Sequence, residues 1–188
     1  MKKLSFSIFV VFMTMLGVKA QTYFNIGGGY FGQTVSYPGL VIEAEMEKMF
    51  SENVSIPIRL DMGFYNHPRY HTGAFIDLNV GFRQYFKSGF FLEEGIGAGV
   101  LTYFLNSDEV YEVDDSGLVS EGSRTNPVDF MPSITLGLGY NLTKDSGKQN
   151  LIWLRPKVYW QVPHKTLSTY NFALQVGFTH TIKVKGIK

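Results

Sequence analysis

Glu43, Glu45 and Glu47 stand at alternate positions in the stretch GLVIEAEMEKMF, with Ile42, Ala44 and Met46 interleaved. A helix would turn Glu45 away from the other two and set it among apolar groups. A strand puts all three carboxylates on one face and the apolar residues on the other. Three like charges on one face call for cations opposite. Residues of matching alternation supply them: Arg59, Arg83, Arg155 and Lys157, alongside the further acids Asp61, Asp77 and Glu93. Such a set can form a buried ion-pair network. It can also hold a proton path or a trapped cation, although nothing in the spacing specifies a metal. Nucleophilic chemistry has two weaker candidates, His164 with Ser168 and His67 with His71 in NHPRYH. Neither pair carries a hydrolase signature, and Pro68 breaks any helical metal face between the two histidines. The remaining concentration of charge is the stretch 106–128, with Asp108, Glu109, Glu112, Asp114, Asp115 and Glu121 balanced by Arg124 alone. Its Asp-Ser-Gly reads as the turn of a short hairpin, and it fails the calcium-loop template.

These residues are positioned by period-2 segments, roughly 22–32, 40–50, 54–66, 72–86, 90–105, 129–142, 151–162 and 168–183. In the third, Val54, Ile56, Ile58, Leu60, Met62 and Phe64 oppose Ser55, Pro57, Arg59, Asp61 and Gly63. The sixth sets Phe130, Ile134, Leu136, Leu138 and Tyr140 against Ser133, Thr135, Gly137 and Gly139. Connections after the second and fourth segments are short, and 106–128 is long. A meander of this kind predicts short turns at one end and long loops at the other.

Residues 1–20 read as a secretory signal peptide: Lys2 and Lys3, an apolar run Leu4–Val18, and small residues Val18 and Ala20 before Gln21. The run is short for a retained membrane helix and contains Ser5, Ser7 and Thr14. The expected mature unit is a single domain, 21–188, with neither disulfides nor cysteine-linked lipid, since the chain has no cysteine. Loss of Lys2, Lys3 and Lys19 takes the net charge from +1 to −2, which excludes nucleic acid as an expected partner.

Alternation leaves open which face is inside. A soluble periplasmic lipid-binding barrel buries the apolar face, and a membrane barrel turns it to lipid. Three features favour the membrane arrangement. The polar face is rich in glycine (73, 81, 95, 97, 99, 137, 139) and poor in lysine; its charges can pair; and aromatics cluster near segment ends. Phe50, Phe86, Phe90 and Tyr140 would mark one rim, and Phe64, Phe104, Phe130, Trp160 and Tyr170 the other.

On this pattern the chain resembles the small eight-stranded outer-membrane barrels of Gram-negative bacteria. The start QTYFNIGGGYFG is similar to members from Bacteroidetes-type organisms. Gln175, Gly177 and Ile182 fit the terminal signal of such barrels, while His180 occupies an apolar slot and the chain runs on to KVKGIK. The expectation is an all-β, eight-stranded antiparallel up-and-down transmembrane barrel in the outer membrane. Its interior holds Glu43, Glu45, Glu47, Arg59, Asp61, Asp77, Arg83, Glu93, Arg155 and Lys157 as a packed polar network with no open diffusion pore. No cofactor and no metal are expected. Membrane lipids are the expected partners, with an extracellular protein or divalent cations at 106–128. The competing classes are a lipid-modifying enzyme of the outer membrane, which the resemblance also brings in, and the soluble lipid-binding barrel.

Overall fold

The computed structural model describes residues 21–69, 71–105, 111–113, 117–121, 128–143, 148–162 and 169–186. The expected signal peptide, 1–20, lies outside them. The strands are β1 (Thr22–Gln33), β2 (Tyr37–Met49), β3 (Val54–His67), β4 (His71–Tyr85), β5 (Phe90–Leu105), β6 (Tyr111–Val113), β7 (Val119–Glu121), β8 (Val128–Asn141), β9 (Asn150–Gln161) and β10 (Thr169–Lys185). Eight of them close a barrel in the order β1-β10-β9-β8-β5-β4-β3-β2, every pair antiparallel. The fold is a closed up-and-down barrel, with no helix among the described residues. Closure pairs the first strand with the last and leaves the wall no edge.

One parity runs through the wall. The buried side chains of the barrel strands stand at odd positions, from Asn25 to Thr181, and the large apolar groups exposed on those strands stand at even ones, from Ile26 to Ile182. Side chains alternate across a strand, so this parity survives each link only if paired residues keep the same face. The register does so: Glu43 faces Asp61, Asp61 faces Asp77, and Arg83 faces Glu93. Stepping across partners from Phe90 through Tyr140, Ile152, Phe178, Gly28, Ile42, Met62 and Ile76 returns to β5 at Val100. The displacement is 100 − 90 = 10 residues, which tilts the strands to roughly 40°.

The ends differ from the simple short-turn, long-loop expectation. Links 50–53 and 86–89 are tight at the end that carries Thr22 and Lys185, as expected. At the opposite end, however, 34–36 and 68–70 are tight as well. Only the connections from β5 to β8 and from β9 to β10 are longer there. The 34–36 link escapes sequence reading because it lacks turn residues: Thr34 and Val35 both take positive φ, 49° and 65°. Three residues thus join the paired Gln33 and Tyr37, and two of them take the left-handed backbone that Gly or Asn normally supplies in hairpin links. The long connection after β5 carries the β6–β7 hairpin, a separate two-stranded sheet in which Tyr111 pairs with Glu121 and Val113 with Val119. Gly117 takes φ 81° in its turn, as the Asp-Ser-Gly reading requires.

Prolines interrupt the ladder, since a closed sheet offers no edge position for them. Pairing of β3 with β4 jumps from Ser55–Arg83 to Ile58–Val80 around Pro57. Pairing of β8 with β9 jumps from Thr135–Lys157 to Leu138–Leu154 around Pro156.

Candidate functional site

The site is the barrel interior, and all ten residues expected there point into it and are buried. β2 contributes Glu43, Glu45 and Glu47; β3, Arg59 and Asp61; β4, Asp77 and Arg83; β5, Glu93; and β9, Arg155 and Lys157. Arg83 is fully buried and lies at the centre of one cluster. Its Nη2 donates to Glu45 Oε2 at 2.7 Å and to Glu93 Oε2 at 2.6 Å, and its Nη1 lies 3.0 Å from Glu47 Oε2. Arg59 donates from Nη1 to Glu93 Oε1 at 2.6 Å and from Nε to Asp61 Oδ1 at 3.1 Å. Arg155 reaches across the barrel to Glu43 Oε2 at 2.5 Å, and its Nε lies 3.4 Å from Glu93 Oε1. Lys157 closes on Asp77. Glu93 is thus shared by three guanidinium groups.

Neutral side chains complete the network. Asn79 donates to Asp61 Oδ2 at 3.2 Å and Asp77 Oδ2 at 3.1 Å, and Ser133 donates to Asp77 Oδ2 at 3.1 Å. Tyr85 donates to Glu47 Oε1 at 2.8 Å, Ser55 also bonds Glu47, and Thr179 bonds Glu43. Asn25 donates to Glu45 Oε1 at 3.0 Å and accepts from Thr181 at 2.7 Å. Buried charges persist only with such pairing, since each lost partner leaves an ion in a low-dielectric interior. Asp77 Oδ1 and Arg155 Nη2 are buried without a hydrogen bond from the described residues. Gly97 makes the space: a Cβ there would collide with both Asn79 Oδ1 and Ser133 Oγ.

Aromatic groups beyond the expected charged set share the interior. Phe31 lies 5.9 Å from the Tyr65 ring and 4.7 Å from Phe75, toward the end bearing 34–36. Tyr85 and Phe91 lie 5.5 Å apart toward the other end. Arg83 sits 4.9 Å over Phe91 and Arg155 4.1 Å over Trp153, so the rings also face the cations. Their signal was the odd parity they share with the charges.

The other candidates fare differently. The His67 and His71 rings stack at 5.6 Å, and Tyr65 Oη lies 3.4 Å from His71 Nε2. No group of three His, Cys, Asp or Glu placed to hold a metal occurs among the described residues. His164 and Ser168 lie outside those residues, as do Asp108, Glu109, Asp114 and Asp115; Glu112 and Glu121 stand on β6 and β7. The outer surface is apolar over the middle of the wall, with Leu78 51%, Ile96 69% and Leu136 59% exposed. That is opposite to a soluble lipid-binding barrel. Of the expected rim aromatics, Phe86, Phe90, Phe64, Phe104, Phe130 and Tyr170 are exposed on the outside, whereas Phe50, Tyr140 and Trp160 are half-buried.

A closed eight-stranded antiparallel barrel with an ionic interior and an apolar exterior is the class that fold and site define. Its backbone superposes on Neisserial surface protein A (NspA) with a TM-score of 0.53 at 7% identity, over 88% of this chain and 97% of that one. This likeness shows a shared fold. Lower scores relate it to the outer membrane protein OprG from Pseudomonas aeruginosa (0.41, 12% identity, 88% and 98% covered). The translocator domain of the autotransporter NalP from Neisseria meningitidis scores 0.34, at 11% identity with 95% of each chain covered. No protein-family model and no curated protein matches the sequence.

Proposed function

We propose that the protein is an integral outer-membrane barrel with a structural or surface-interaction role, whose interior is a filled ionic core rather than a diffusion pore. The observation that supports this most directly is the inverted burial. Arg83, Asp77 and Glu47 are 0% exposed, whereas Leu40, Ile42 and Leu136 are 57%, 63% and 59% exposed. Water rewards the opposite arrangement, and hydrocarbon rewards this one. An eight-stranded barrel is just wide enough to be filled by its own side chains. The network with its aromatic neighbours supplies that filling. On this reading the hairpin-bearing segment 106–128 lies on the extracellular side and offers its carboxylates to a protein or to divalent cations bridging lipid headgroups. No step of the proposed role requires a catalytic group or cofactor.

The test joins location to conductance. The protein should remain with outer membranes through carbonate washing and run differently on a gel with and without boiling. In planar bilayers it should show no steady ohmic current. Recovery from the soluble periplasm with unchanged mobility would overturn the membrane reading, and a stable open conductance would overturn the filled core.

A further inference from the structure

Glu94 breaks the outward pattern. Among the described residues it is the one Asp, Glu, Lys or Arg on the outside of the wall between the aromatic ends of β5, Phe90 and Phe104. Lys48, the other such outward-facing residue of the barrel strands before the β10 bulge, lies at the rim 5.6 Å from the Phe50 ring. The carboxylate of Glu94 is exposed, flanked along β5 by Leu92 and Ile96 and across the sheet by Phe82 and Leu136. No hydrogen bond or ion pair reaches it from the described residues. Four residues from Phe90, at 3.3 Å per residue and a tilt near 40°, it stands about 10 Å up the wall. An ionisable group on a lipid-facing surface is costly and calls for a partner.

The surroundings indicate what that partner is. Gln84 pairs with Leu92 and so lies one pleat from Glu94 toward the Phe90 rim. Its Nε2 donates to the Tyr85 carbonyl at 3.2 Å, leaving Oε1 to accept. Both residues border a groove of about 440 Å³ lined by Phe82, Leu92, Leu136 and Leu138. Its floor is Gly137 and Pro156, where the β8–β9 ladder is broken. That groove lies on the rim side of Glu94, and another of about 390 Å³, lined by Val80, Phe82, Ile96, Ile134 and Leu136, runs from Glu94 toward the middle of the wall. The Glu94 carboxylate and the Gln84 amide oxygen thus stand at the rim end of an acyl-sized apolar bed. The complementary occupant has a cationic N–H head and a hydrocarbon tail.

We propose that Glu94 and Gln84 dock the primary ammonium headgroup of a phospholipid from the leaflet at the chain-terminus end, its acyl chain lying along the groove lined by Val80, Ile96 and Ile134. This rests on the membrane reading above. A primary ammonium offers three N–H donors to the two acceptors, whereas a quaternary ammonium offers charge without donors.

The test is native mass spectrometry of the full-length mature protein, first shown to be folded by its boiling-dependent mobility. It is exposed to equimolar phosphatidylethanolamine, phosphatidylcholine and phosphatidylglycerol of identical acyl chains. Wild type should retain phosphatidylethanolamine roughly tenfold over either competitor. Glu94→Gln should bring that ratio to about one and Gln84→Leu should lower it partly, with mobility unchanged in both. Equal retention of the three lipids by folded wild type, or an undiminished preference in Glu94→Gln, would overturn the proposal while leaving the barrel intact. A dimer lost in Glu94→Gln would replace the lipid with a second copy of the chain. Failure to take up detergent or lipid at all would overturn both this inference and the membrane reading.

Discussion

Glu93 and Glu94 are neighbours along β5, and the barrel wall passes between them. Glu93 turns inward, where Arg59, Arg83 and Arg155 surround its carboxylate at 2.6, 2.6 and 3.4 Å. Glu94 turns outward among Phe82, Leu92, Ile96 and Leu136 and meets nothing charged among the described residues. The same side chain is thus a structural member on one side of the sheet and an unmatched charge on the other. The difference teaches that in this fold a residue's role is decided by the parity of its position before its chemistry. Inside, the charge is stabilised by partners from three other strands. Outside, the described residues offer it no partner.

The comparison is broken most severely from the inside. Arg83→Ala removes the cation held by Glu45, Glu47 and Glu93 and should cost on the order of 3–5 kcal/mol, read as a lowered urea midpoint in lipid vesicles. Arg59→Ala belongs in the same range, because Asp61 and Glu93 lose a donor together. Wild-type unfolding of either variant would show that the ionic core contributes little. Glu93→Gln keeps the shape and removes the charge shared by three guanidiniums, and a loss of about 2–3 kcal/mol is expected by the same titration. The strained link gives a smaller effect of opposite sign. Val35→Gly relieves a β-branched residue held at positive φ and should stabilise by about 1 kcal/mol. Glu94→Gln, one position from the inner network, should move the unfolding free energy by less than about 1 kcal/mol. A change as large as that of Glu93→Gln would mean that the wall does not separate the two glutamates. Deleting 108–122 should leave assembly and the boiling-dependent gel shift intact, since β6 and β7 form a sheet of their own.

Much of the fold could be read from alternation alone, because each strand keeps one parity and its apolar face is uniform. The eight segments correspond to the eight barrel strands, with ends displaced by a few residues where the links are tight. The charged set was legible for the same reason: Glu43, Arg59, Arg83 and Glu93 all interrupt apolar runs at positions of equal parity. Which cation meets which carboxylate was not legible. Arg155 bonds Glu43 across 112 residues, and that meeting is fixed by the ten-residue stagger of the closed sheet. Nor were the inward rings. Phe31, Tyr65, Phe75 and Phe91 look like interruptions of a polar face until the interior is seen to need volume as well as charge. The Thr34–Val35 link was hidden because β-branched residues in left-handed backbone carry no turn signature.

The inverted barrel requires hydrocarbon, not water, to meet the even-numbered face. With no cysteine in the chain, Leu78→Cys and Leu136→Cys each introduce a single thiol for a bimane label. In vesicles of brominated phospholipid both labels should be quenched strongly, while aqueous iodide leaves them bright. Quenching by iodide, with brominated lipid having no effect, would place that face in water and contradict the inverted barrel outright.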